Sequence, residues 1–535
     1  MLERVRAGLL RFRPRDEYDW CAIGLTAIAL VGALWVSVNV FDRLPHVEDE
    51  LAFLFQARTL AEGDIVTREP AIPEAFAAPF IIVHEGDWFG KYPPGYPFVL
   101  AFGVRFGAPW LVNPLMGAAS VALLYVVGRR LYSPGTGLLA AALLTSSPFF
   151  LLQSGSMMSH ASSLVWVLLA VLLFDRACAN RSLRASLNCG AALGMLFLAR
   201  PLTGVGIGIS FALWGLADLS RRRDRAALRL WLMAIAGFLT FVLLLLGYNE
   251  WTTGSPTRSA YELWWPYDKI GLGNGVSRDL DFTLQDAWWN TQDNLRDLDD
   301  FLFGWPRRLS LVPAILAVGF VAWRAQIALW RRARRQPVGT VSALGWDAFF
   351  VVTAVSLPVA YLLYWSAGQM YGPRYYYEAI GALALLSARS LLQIAGLLGT
   401  CLARGSTRIP PVRAHKAGLT AVLVAVSLLT IHSQTSFTPR QFDIFTDWYG
   451  INRNGLERVQ AADLDNAVVF VERSQWTDYA PFFSENAPSL RSEVVYAVDR
   501  GPTQNRRVMR DFPSRSAWRY GNGQLVRLPI VNTLP

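Results

Sequence analysis

The sequence predicts an all-α polytopic membrane protein of about 11 spans, followed by a small C-terminal α/β domain. Three observations carry this. The 535 residues are 53% hydrophobic and 17% charged, with a mean hydropathy of +0.29; a soluble domain is about 25% charged. The apolar residues run in blocks near the roughly 20 residues that cross a bilayer, not at the spacing of a soluble core. Past residue 433 the pattern changes to short strand-like runs. The composition excludes a disordered chain, a basic nucleic-acid-binding domain and an ordinary soluble enzyme.

The blocks place spans at 20–41, 109–128, 136–152, 161–176, 186–199, 202–219, 229–248, 307–327, 346–365, 374–397 and 417–433. The two flanking Pro201 are short, so a kinked or broken pair is expected there. The first span follows Arg4, Arg6, Arg11, Arg13 and Arg15 and precedes no small-residue cleavage site, so it reads as a retained anchor. With the N-terminus cytoplasmic, every dense basic cluster falls on that side. These are Arg129 and Arg130; Arg176, Arg181 and Arg184; Arg221, Arg222, Arg223 and Arg225; Arg331, Arg332, Arg334 and Arg335; and Arg404, Arg408, Arg413 and Lys416. The net charge of +10 is therefore a topology signal and a contact with the lipid bilayer, and no nucleic-acid partner is expected. Cys21, Cys178, Cys189 and Cys401 lie at or near the same side, with neither a disulfide framework nor a metal-type spacing.

Three segments then lie outside: 42–108, 249–306 and the tail 434–535. In the first, Leu51, Phe53, Leu54, Ala57 and Leu60 recur at helical spacing behind Glu48, Asp49 and Glu50, and Gly63 suits the helix end. The piece 95–107 is too short to span and reads as a helix in the interface. The second loop is rich in Trp, Tyr and Asp; Trp264, Trp265, Trp288 and Trp289 suit either sugar stacking or interfacial anchoring. In the tail, 466–472 and 492–499 read as buried strands, 502–512 as a helix, and 518–528 as a hairpin around Gly521, Asn522 and Gly523. The domains are thus 1–433, with a catalytic outer loop 42–108 and a substrate-facing loop 249–306, and 434–535 as a lid, scaffold or acceptor-recognition unit.

Five sets of residues on the outer side could carry chemistry. Glu48, Asp49 and Glu50 put three carboxylates beside the membrane, where ionisable groups are costly unless solvated, paired or functional. Lys91 stands out because the chain uses Lys at only three positions, 91, 269 and 416, among 50 basic residues. A compact ammonium holds a phosphate as a point charge, and Pro93 and Pro94 fix the backbone beside it. Arg374, followed by Tyr375, Tyr376 and Tyr377, suits a phosphate and a sugar, or an aromatic belt with a snorkelling Arg. His160 could carry a proton, bind a metal or meet substrate, although a lone His is more often structural. Arg200 sits at the turn between two spans and would need an anionic partner. Carboxylate, Lys and Arg converging on one side imply a general base joined to a cationic phosphate clamp.

In this setting the chain resembles the GT-C-fold glycosyltransferases and is most similar to the protein O-mannosyltransferase and lipid A aminoarabinose transferase group. Asp49 and Glu50 match the Asp-Glu pair that opens the outer helix of that group, and Phe53, Ala57 and Arg58 follow at its spacing. Lys91, an inserted Tyr92, then Pro93 and Pro94 match its Lys-Pro-Pro; Gly128, Arg129, Arg130 and Leu131 match the end of its next span. The likeness is strong over 40–220 and weaker beyond, where 248–256 and 372–378 still resemble the superfamily. It implies a multi-pass enzyme of the bacterial inner or plasma membrane, with its C-terminus extracytoplasmic. It implies a polyprenyl-phosphate sugar donor, an acceptor it does not name, and an inverting attack with Asp49 as base, paired with Glu50. Lys91, Arg374, Arg58 and Arg200 would hold the donor phosphate; Glu48, His160, Tyr92, Tyr375 and Tyr376 would face substrate. Relatives often carry a second acid in the next outer loop; here either it is absent or its role has moved to His160 or Glu48, so no cofactor is expected and a divalent metal, which some relatives use, is not favoured. The alternatives are a polyprenyl-diphosphate glycan ligase, which would want more outer Arg, and a non-enzymatic lipid transporter or scaffold. A transporter predicts inverted repeats and mid-span charges, and the sequence shows neither.

Overall fold

The computed structural model describes residues 14–278, 281–333, 341–405 and 409–529. Arg4, Arg6, Arg11, Arg13, Arg334, Arg335 and Arg408 of the basic clusters lie outside these. The first helix, α1 (Glu17–Asn39), is capped by the Asp16 side chain, which accepts from the Asp19 N–H. Then comes α2 (Glu48–Glu62), with three acids in its first turn and Gly63, at φ 101°, in the left-handed conformation that ends it. Strands β1 (Thr67–Arg68), β2 (Ile81–His84) and β3 (Asp87–Gly90) follow and form an antiparallel sheet in the order β1-β3-β2. The sequence reading did not contain this sheet: runs of two to four residues carry too little alternation to register. The helix expected at 95–107 is α3 (Gly95–Arg105), burying Tyr96 and Leu100 and leaving Phe98 and Phe102 exposed.

The remaining bundle runs α4 (Val112–Leu131), α5 (Pro134–Thr145), α6 (Pro148–Gly155), α7 (His160–Asn180), α8 (Leu183–Ala199), α9 (Pro201–Arg222), α10 (Arg225–Thr253), α11 (Ala260–Trp264), α12 (Leu284–Phe303), α13 (Val312–Ala333), α14 (Val341–Tyr361), α15 (Ile380–Gly405) and α16 (Pro411–His432). Among the described residues, nine helices are long and apolar enough to cross a membrane. Two of the expected spans differ from that pattern. The block 136–152 is α5 and α6, bent by 65°, because Pro148 cannot continue the α5 ladder and the Ser147 hydroxyl caps the new start at Phe150. Of the pair at Pro201, only α8, at 17 residues, is short; α9 has 22. Helices α8 and α10 touch backbone to backbone through Gly190 and Gly237, where an added Cβ would strike Ala234 and Leu187.

The tail begins with α17 (Thr438–Phe445) and α18 (Asn454–Gln460), then β4 (Ala467–Val471), α19 (Trp476–Phe483), β5 (Val494–Val498), α20 (Pro502–Asp511), β6 (Ser516–Gly521) and β7 (Gln524–Arg527). The strands form one sheet in the order β5-β4-β6-β7, with β4 parallel to both β5 and β6 and β7 returning antiparallel. Parallel neighbours need crossovers, which α19 and α20 supply. Both buried strands, the helix and the hairpin stand where the sequence placed them. The unit rests on the 42–108 segment: Phe483 packs against Phe55 of α2 (5.8 Å between rings) and Trp88 of β3 (6.2 Å). Arg58 donates to the Glu485 carbonyl (3.3 Å) and Arg473 to that of Ala77 (2.7 Å).

Candidate active site

A cavity of about 940 Å³ opens between the start of α2, the β3–α3 turn, the α8–α9 turn, the 255–270 segment and the 361–375 segment. Each charged group at its wall is held by a separate piece of chain. Asp49, in the first turn of α2, accepts from the Tyr92 hydroxyl (2.7 Å) and from Arg374 (3.1 Å), both on Oδ1. Burial alone would raise its pKa. The Arg374 charge, the Tyr92 hydrogen bond and Lys91 outweigh that and hold it below the usual carboxylate range. Glu48, beside it on the wall, is pushed up by burial.

Lys91 follows β3 at the turn fixed by Pro93 and Pro94. Its ammonium sits 3.2 Å from Asp268 Oδ2, with both side chains almost fully buried. Rings of Phe80 (3.9 Å) and Trp265 (4.3 Å) face it. Burial lowers the Lys91 pKa, and Asp268 opposes the shift. The other oxygen of Asp268 accepts from Tyr364 (2.8 Å) and Trp365 (3.1 Å). Asp268 therefore knots three outer segments together.

Arg200, the junction residue between α8 and α9, lies 3.2 Å from Glu378 Oε1. Tyr375 is stacked on Tyr361 (4.4 Å, 9°) and lies between the two arginines, 5.8 Å from Arg200 and 5.4 Å from Arg374. Four cations line the cavity; three are paired with a carboxylate, Arg374 with Asp49, Lys91 with Asp268 and Arg200 with Glu378, and the fourth, Lys269, is exposed.

The structure brings Glu48, Asp49, Lys91, Tyr92, Arg200, Arg374 and Tyr375 to one wall. It sends four other candidates elsewhere. Glu50 points away from the cavity and accepts from the backbone N–H of His46 (2.7 Å) and Met157 (3.0 Å), clamping α2 to the α6–α7 turn. Burial pushes its pKa up to about 8 against those two bonds. Arg58 is about two turns further along α2 and serves the tail contact. Tyr376 is buried off the lining, since consecutive residues of a tight turn point different ways. His160 is fully buried behind Arg200. Trp265 lines the cavity, whereas Trp288 and Trp289 are exposed on α12.

Two residues were missed. Asp268 is one acid among many in its loop and carried no signal. Glu378 did: it is the single acid in the apolar block 374–397, and a lone buried carboxylate demands a partner. Among the described residues, no three His, Cys, Asp or Glu side chains gather as a metal site.

The whole course of the chain matches a solved structure, that of ArnT from Cupriavidus metallidurans bound to undecaprenyl phosphate. The alignment covers 94% of this chain and 93% of that one, at 15% identity and a TM-score of 0.51. The chain has the GT-C fold. Other GT-C structures align less closely. They include the apo oligosaccharyltransferase of Archaeoglobus fulgidus (12% identity, 93% of this chain and 69% of that one, TM-score 0.46) and the arabinosyltransferase EmbB of Mycobacterium smegmatis (12%, 85% and 44%, 0.42). Residues 92–246 match the family described as dolichyl-phosphate-mannose-protein mannosyltransferase, and 467–527 match a domain of unknown function. No curated protein sequence matches the chain. The GT-C resemblance read from the sequence is borne out, and the family match supports glycosyl transfer as the class of reaction.

Proposed function

We propose that this GT-C protein is an inverting glycosyltransferase that moves a sugar from a polyprenyl-phosphate donor to an acceptor hydroxyl. The observation that carries this reading is the convergence of one ionised carboxylate, Asp49, with Lys91, Arg200 and Arg374 on a single cavity wall. Asp49 accepts the proton of the acceptor hydroxyl as its oxygen attacks the anomeric carbon. The bond from that carbon to the phosphate oxygen breaks on the opposite face. The polyprenyl monophosphate departs with the electron pair, and the configuration inverts. The three cations stabilise the charge that grows on the leaving phosphate, and they act strongly because their side chains are largely buried. Asp49 then returns its proton to water.

The charge balance of the wall favours a monophosphate donor over a diphosphate. The three buried cations each already have a carboxylate, which leaves exposed Lys269 as the one lining cation without an ion pair among the described residues, and a more highly charged lipid would want more. We place the reaction on the extracytoplasmic face of a bacterial plasma membrane, supported by the basic clusters on the opposite side. The family match and the ArnT neighbour, solved with undecaprenyl phosphate, support the donor class. The deciding experiment is mass spectrometry of lipids that co-purify with wild type and Asp49→Asn. Enrichment of a polyprenyl monophosphate sugar on the variant is expected and would name the donor. Bulk phospholipid alone on both folded proteins would overturn the proposal.

A further inference from the structure

Behind the cavity wall, Arg200 belongs to a circuit of hydrogen bonds closed by an ion pair to Glu378. Its NH1 approaches His160 Nε2 (3.3 Å) and donates to Ser159 Oγ (3.1 Å); NH2 donates to the Tyr361 hydroxyl (3.2 Å); Nε faces both Glu378 Oε1 (3.2 Å) and Thr203 Oγ1 (3.2 Å). His160 Nδ1 in turn lies 3.1 Å from the same Glu378 oxygen. A guanidinium can only donate. His160 Nε2 must therefore be the acceptor, so the imidazole carries its single proton on Nδ1 and donates it to Glu378. The circuit has one solution. It leaves His160 neutral, with neither nitrogen free to bind a metal or carry a proton. Four of the five N–H groups of Arg200 are used. The fifth, on NH2, has no acceptor among the described residues, and Arg200 itself lines the cavity.

We propose that Glu378 and His160 are positioning residues that lock Arg200 so that this remaining N–H meets an anionic phosphoryl oxygen of the lipid substrate, a reading that rests on the function proposed above. Glu378 supplies the fixed charge that keeps the guanidinium at the wall. His160 ties the far side of that guanidinium to the same carboxylate, so the head cannot rotate away. A pre-set donor loses less freedom on binding than a floppy one.

The test measures binding of undecaprenyl phosphate, and of uncharged undecaprenol as control, to the full-length protein in detergent. Wild type should prefer the phosphate. Arg200→Gln and Glu378→Gln should each weaken phosphate binding by about tenfold or more while leaving undecaprenol binding unchanged. The double variant should be no worse than Arg200→Gln alone, because Glu378 acts through Arg200. His160→Gln, which can still donate one way and accept the other, should bind within about threefold of wild type, whereas His160→Leu should not. Losses that multiply in the double variant, or a folded Glu378→Gln that binds like wild type, would overturn the inference and leave the proposed function standing. Wild type failing to distinguish the phosphate from the alcohol would overturn both. If Glu378→Gln does not fold, the nitrogen-15 spectrum of His160 in wild type decides: the neutral Nδ1–H form is expected, and the Nε2–H form refutes the circuit.

Discussion

In the proposed reaction Asp49 serves as the base, because its surroundings hold it ionised while leaving it room to accept a proton. Both of its protein bonds fall on Oδ1, and among the described residues Oδ2 has no partner. Asp49→Asn should lower the transfer rate by about 10²–10⁴-fold with lipid binding retained, which single-turnover assays on donor-loaded protein would read. Glu50, one residue on, should behave in the opposite way. Its pKa is raised to about 8 by burial. Between the ordinary carboxylate value and about 8 the folded state holds a proton that the unfolded chain has lost, so stability falls as pH rises across that window. Thermal unfolding of wild type should therefore weaken from pH 5.5 to 8. Glu50→Ala should be less stable at every pH, having stranded the N–H groups of His46 and Met157, and should show a shallower slope. An unchanged slope would remove Glu50 as the group responsible.

Helix α2 carries the base at its start and the tail at its middle, so its position depends on both ends. Phe483→Ala deletes the ring that packs on Phe55 and Trp88 and should destabilise the tail by about 3–5 kcal/mol, measurable as earlier proteolysis of residues 434–529. At the other wall, Gly95 sits so close to α8 that an added Cβ would stand 2.5 Å from the Ala199 backbone. Gly95→Val should push α3 and the adjoining Lys91 off the Arg200 turn and cost about 10²-fold in rate without unfolding the bundle; wild-type kinetics would show that this contact does not position the site. Elements of this length were largely legible in the sequence. Apolar blocks announce spans because a bilayer demands them, and the tail strands announce themselves because both faces are buried. Asp49, Lys91 and Arg374 were legible for a related reason: charge is scarce near these blocks, so each charged residue is conspicuous. The bend at Pro148, the three short strands and the knot at Asp268 were not. Each depends on contacts between segments far apart in sequence, which local pattern does not encode. Glu50 misled because adjacent helix positions point about 100° apart, so one carboxylate enters the cavity while its neighbour enters the core.

For the whole molecule, the distribution of Arg predicts that the tail and the α9–α10 turn face opposite sides. In a cysteine-free background, Ser514→Cys should react with an impermeant maleimide in intact cells, and Ser220→Cys only after lysis. The reverse pattern would invert the orientation and move the proposed chemistry to the cytoplasm. The docking of the tail on α2 also sets a clock. Asp49 is synthesised more than 400 residues before the α19 surface that braces its helix. Several hundred residues separate the two, so a nascent chain carries an unbraced α2 until α19 has emerged. In the proposed reaction the cavity would thus gain its braced α2 only once α19 has been made.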